Sequence, residues 1–124
     1  MQLEFKSIVN SNNNEFLTQY TANYIEETED EFIVLKFEND KNKPQTIKIS
    51  KEVVFIQDDL QNFELQYKKY CLIHYLVDEK YIEFYSYLKE VLIDVNEIKI
   101  SYDLVNNLIE KNILASVDIN IKTS

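Results

Sequence analysis

The chain has 124 residues and a formal charge of −9, with no Gly, no Trp, one Pro, one Cys and one His; every basic residue is Lys. A Gly-rich phosphate cradle and a guanidinium clamp are therefore excluded, and so are an intramolecular disulfide and a multi-cysteine metal centre. The apolar set is 15 Ile, 9 Val, 9 Tyr and 7 Phe against 2 Ala, and β-branched and aromatic side chains favour pleated sheet over helix.

This length predicts a single domain spanning 1–124 with a core of ordinary size. Acidity argues against nucleic acid and against anionic membranes as direct partners, since both need a basic surface. The start Met1-Gln2-Leu3-Glu4-Phe5 has no basic region leading into an apolar run, and no stretch reaches the roughly 18 apolar residues of a membrane span. These features predict a cytoplasmic protein.

Polar clusters punctuate the chain: Ser11 with Asn12, Asn13 and Asn14, then residues 26–31 and 38–43, Asp58-Asp59, Asp78-Glu79, Val95-Asn96 and Asn106-Asn107. Without Gly, Asn and Asp must supply the left-handed backbone that tight turns demand. Between the clusters the period is two. Phe16, Thr18, Tyr20, Ala22 and Tyr24 fall on one face of residues 15–25. Phe63, Leu65 and Tyr67 alternate with polar residues, as do Ile98, Ile100, Tyr102 and Leu104, and then Ile113, Ala115, Val117, Ile119 and Ile121. Each run predicts a strand with one dry and one wet face. Residues 79–93 are ambiguous. Tyr81, Phe84, Tyr85, Leu88, Val91 and Leu92 have helical spacing, while the Tyr and Ile content favours a strand.

The order of segments resembles the YwiB-like family, small uncharacterised bacterial proteins with a calycin-type barrel. The resemblance rests on IKISYDL at 98–104 and the closing VDINIK at 117–122. Upstream, LKFEND (35–40), TIKIS (46–50), VVFIQDD (53–59) and FELQY (63–67) follow in the family's order. The family usually has Gly and a basic residue near the turn at 53–59, and a Pro-aromatic-Gly element before 80–93. This chain has Gln57-Asp58-Asp59 and Val77-Asp78-Glu79-Lys80 there. The resemblance implies an all-β fold, a small antiparallel up-and-down (calycin- or lipocalin-like) β-barrel of about 8–10 strands with little or no helix. It also implies that 79–93 is a strand. It carries no activity.

Cys71 and His74 stand three residues apart, on opposite faces of a strand, so they do not form a nucleophile–base pair. Cys71 reads as a small buried hydrophobe and His74 as a hydrogen-bonded or surface residue. Residues 26–31 hold five acids but lack the spacing and Gly of a calcium loop; they read as a solvated hairpin end. No catalytic constellation, cofactor motif or metal set is expected, and the chain reads as non-enzymatic. A barrel of this size holds packed side chains or one small ligand. Tyr20, Phe63, Tyr67 and Tyr102 are the candidate lumen residues for a small apolar or aromatic ligand. Tyr81, Tyr85 and Tyr87 share one face of the 80–93 strand, opposite Ile82, Phe84, Leu88 and Leu92, and are the candidate homodimer interface. The alternative is an acidic interaction module, an inhibitor or nucleic-acid mimic that occupies a basic partner surface.

Overall fold

A computed structural model describes residues 1–58 and 61–123. Asp59 of the expected Asp58-Asp59 turn lies outside the described residues. Among the described residues ten strands form in chain order, without helix between them: β1 (Gln2–Ser11), β2 (Asn14–Glu29), β3 (Phe32–Glu38), β4 (Pro44–Ile49), β5 (Val53–Asp58), β6 (Asn62–Gln66), β7 (Tyr70–Val77), β8 (Lys80–Ile93), β9 (Glu97–Val105) and β10 (Ile113–Thr123). They make one antiparallel sheet in the order β6-β5-β4-β3-β2-β1-β10-β9-β8-β7. Sequence neighbours pair throughout except β6 with β7, and β1 pairs with β10. This is the expected up-and-down barrel.

The two ends of the sheet, β6 and β7, meet along a seam. The Lys68 amide donates to the Leu88 carbonyl at 2.9 Å, and Tyr67 bridges Leu88 in parallel sense. Higher up, the fully buried Ser86 hydroxyl donates to the Glu64 carbonyl at 3.2 Å. Buried without a partner, the Ser86 hydroxyl would be costly; this bond satisfies it and brings β6 against the inner side of β8.

Left-handed backbone falls where Gly would normally sit. Asn12 and Asn13 close the β1/β2 hairpin, and Asp78 and Glu79 close β7/β8, with positive φ at both residues of each pair. That is the two-residue turn whose twist matches the flanking strands. Asp30 and Asn42 also have positive φ, and so do Lys68 and Lys111, which the expectation of Asn and Asp did not cover. The turns at 50–52 and 67–69 are not marked by the polar clusters. The first is instead held by Ser50, whose hydroxyl donates to the Val53 carbonyl at 3.0 Å and accepts the Val53 amide at 3.0 Å.

The interior is a single cluster of Leu3, Phe5, Leu35, Phe37, Ile47, Ile49, Val54, Leu65, Leu88, Ile98, Ile100, Tyr102, Val117, Ile119 and Ile121 with their neighbours. The period-two faces read from the sequence converge here, except that Phe16, on the expected dry face of β2, is exposed, and that two strands change phase. In β10 the register shifts between Ile113 and Ala115, so Ile113 lies opposite Val105, leaves the interior and is exposed. In β8 a shift between Leu88 and Glu90 changes the phase, so Val91 faces Ile100 on the inner side. Leu92 therefore points outward and does not share the face of Leu88, as the simple alternation predicts. In both strands one extra residue moves every later side chain to the other face.

Candidate functional site

The four candidate lumen residues separate. Tyr102 is 7 % exposed and belongs to the core, opposite Leu88 on one side and Val117 on the other. Tyr20 is partly buried, stacked on Phe5 at 4.9 Å and tilted against Phe37 at 6.5 Å. Its neighbourhood is filled by these rings. Phe63 lies on the same strand face as the buried Leu65, higher up the barrel, with its ring 5.9 Å from Tyr75. Tyr67 follows the end of β6 and is 39 % exposed, beside a surface depression of about 240 Å³ lined by Glu52, Val53, Gln66, Tyr67 and Lys69. These four residues do not line one space.

Burial pushes the Tyr102 hydroxyl up to about 12, and burial, then the Asp40 carboxylate, raises Tyr20. The unfolded chain ionises its tyrosines near pH 10, while the folded chain keeps Tyr102 neutral. The stabilisation is fully present below pH 10 and is lost as pH rises towards 12, because above 10 the unfolded state holds fewer protons. A gap of this size corresponds to about 2–3 kcal/mol. Urea midpoints should therefore fall steeply above pH 10, and Tyr102→Phe should flatten that fall. An unchanged slope in the variant would assign it elsewhere.

Cys71 and His74 lie on opposite faces of β7. Cys71 is half-buried opposite Ser86, and burial, as the largest cause, raises its thiol. His74 is on the outer side, with Nδ1 3.5 Å from Glu83 across the hairpin. Among the described residues, no group of three or more His, Cys, Asp or Glu is placed to hold a metal ion. In the 26–31 segment, Glu27 pairs with Lys36 at 3.0 Å and Glu29 with Lys48 at 3.3 Å. No helix among the described residues is long and apolar enough to cross a membrane.

The candidate interface tyrosines share the outer face of β8, as the alternation predicts, but in unequal settings. Tyr81 is 72 % exposed. Tyr85 is half-buried opposite Leu72 and Val105, and Tyr87 packs on Tyr70 with ring centroids 4.7 Å apart. Lys111 from the β9/β10 loop lies 5.1 Å over the Tyr70 ring and extends this small outer layer.

Strand direction places the β1/β2 turn, the β9/β10 loop and the β7/β8 turn at one end of the barrel. That end carries most of the exposed apolar side chains: Phe16 and Leu17 on β2, Leu72 and Leu76 on β7, Tyr81 and Ile82 on β8, and Leu108, Ile109, Ile113 and Leu114 around the β9/β10 loop. On the inner side of the hairpin Tyr75 bridges Phe63 and Phe84 at 5.9 and 6.3 Å. The β7 residues were missed because YCLIHYLV reads as an ordinary buried strand. β9 ends at Val105 and β6 begins at Asn62, so among the described strands neither runs alongside the outer part of the hairpin.

No family model matches the chain, and no curated protein matches it. Among solved structures, it is similar to the crystal structure of ywiB protein from Bacillus subtilis. The TM-score is 0.74 over 99 % of this chain and 90 % of that one, at 16 % identity. The sequence resemblance and the observed architecture thus point to the same place, and the antiparallel barrel of this chain is similar in fold to that YwiB protein.

Proposed function

We propose that the chain is a non-enzymatic, calycin-type binding protein of the cytoplasm that engages an apolar or aromatic group at the barrel end carrying the β7/β8 hairpin. The observation that carries this reading is the concentration of exposed apolar side chains there, on a molecule whose net charge is −9. Exposed apolar side chains gathered at one end of a fold are a signature of binding surfaces. The lumen residues of the sequence reading contribute through Phe63, which joins Tyr75 at this end, while Tyr20 and Tyr102 support the fold beneath it. The acidic-decoy alternative draws on residues 26–31. Pairing of Glu27 and Glu29 with lysines of the same surface weakens the field they would project, so the apolar end is the preferred site.

Nile red, a neutral solvatochromic dye, tests the reading at protein concentrations low enough to keep the chain monomeric. Binding should shift its emission to the blue. Leu76→Ser or Tyr81→Ser should weaken binding by about fivefold each, as expected for the loss of roughly 1 kcal/mol of apolar contact. Val95→Ser, at the opposite end and also exposed, should change nothing. Absence of a shift, or equal loss in the Val95 variant, would overturn the assignment.

A further inference from the structure

We propose that the apolar end is covered by a second copy of this chain, with β7 pairing antiparallel to the β7 of its partner across a two-fold axis. This rests on the binding reading above and names the partner.

The argument begins with the edge of β7. One side of β7 is fully paired with β8, from Tyr70 opposite Tyr87 to Val77 opposite Lys80. On the other side, backbone bridging to β6 among the described residues is limited to Gln66 and Lys69 in the turn below β7, while the Phe63 ring packs on Tyr75 from the inner face without a ladder bond. Val77 and Lys80 flank a two-residue turn and so form a hydrogen-bonded pair. Alternation from that pair turns the amide and carbonyl of Leu72, His74 and Leu76 towards the unpaired side. An edge of this kind recruits another strand unless Lys, Pro or a bulge protects it. Residues 70–77 contain neither Lys nor Pro, and their register with β8 runs without a shift.

Charge favours a like partner locally although the whole chain repels itself. Residues 67–85 carry Lys68, Lys69 and Lys80 against Asp78, Glu79 and Glu83, which cancel on a chain of net charge −9. The exposed parts of Leu72, Tyr75, Leu76, Val77, Tyr81 and Ile82 amount to roughly 600 Å² over both faces of the hairpin, a ceiling on what these residues contribute towards the about 800 Å² per partner of a standard stable interface. Leu108 and Ile109 on the adjoining loop, the latter 93 % exposed, extend the patch. A two-stranded hairpin standing clear of its sheet is marginal in water, and a two-fold pairing would place it inside a continuous β8-β7-β7-β8 layer. A C2 contact suits an antiparallel strand because the same edge supplies both sides.

Sedimentation equilibrium and native mass spectrometry of the full chain provide the test. The wild type should show a mass of twice 14.8 kDa that dissociates on dilution. His74→Pro removes an amide on the free edge without touching the β8 ladder, and Leu76→Lys installs a protective charge on that edge. Each should raise the dissociation constant at least about 100-fold while the far-UV circular dichroism stays that of the wild type. If the proline variant fails to fold, the lysine variant decides. A wild type that stays monomeric at high concentration, or a dimer that survives both substitutions, would overturn the proposal. A monomer that still binds Nile red at this end would overturn the second copy and leave the binding reading intact. A β7-dependent dimer with no dye binding would support the pairing and count against that reading.

Discussion

Leu88→Ala should destabilise the barrel by about 2–5 kcal/mol, the range for deleting a buried leucine side chain that the surroundings cannot replace. Leu88 is fully buried opposite Tyr102, and its carbonyl accepts the Lys68 amide at the seam. The shift in register directly after it means that neighbouring residues are already committed, Val91 to Ile100 and Lys89 to an ion pair with Asp103 at 3.0 Å. The site should therefore collapse poorly around a truncated side chain. Urea unfolding followed by circular dichroism measures the loss, and hydrogen exchange at Lys68 reports the seam itself. A loss under about 1 kcal/mol with unchanged exchange would show that the seam does not depend on this side chain.

Phe5→Ala should cost about 3–5 kcal/mol, as large aromatic truncations in a core do. Phe5 sits between Tyr20 and Phe37, with ring centroids at 4.9 and 6.1 Å. Its removal should leave an apolar space beside Tyr20, and such spaces stay dry and accept small aromatic molecules. Benzene should therefore raise the thermal midpoint of the variant and leave that of the wild type unmoved. An equal rise in the wild type would mean that the native interior already holds room for a ligand, and it would return the ligand site to the Tyr20 and Tyr102 neighbourhood.

Much of the fold was legible because period two survives nearly every interruption. Ile98, Ile100 and Tyr102 form an inner row because nothing in 97–104 breaks the alternation, and the same holds for Leu3 and Phe5. Ile113 and Leu92 were misplaced for one reason. A bulge adds a residue without a sequence mark when neither Gly nor Pro signals it. The turns at 50–52 and 67–69 were hidden because Lys and Glu fit turns as well as the wet face of a strand. The apolar end was less legible still. Leu72 and Leu76 have the composition of buried positions, and their exposure depends on where β9 and β6 stop, whereas Tyr81 was already a candidate interface residue.

The sequence by itself determined that most of the chain is strand and which side chains fill most of its interior, through local alternation and residues that tolerate left-handed turns. The antiparallel up-and-down order and the strand at 79–93 were implied by the family resemblance. Composition also excluded phosphate cradles and guanidinium clamps, because no neighbour can supply an absent residue type. Tertiary structure alone decided that β6 crosses to β8 through Ser86, that Tyr20 and Tyr102 are packed against their neighbours, and that among the described residues no strand pairs with the second edge of β7. Each of these depends on the relative lengths and register of strands far apart in the chain, quantities that a period of two does not encode.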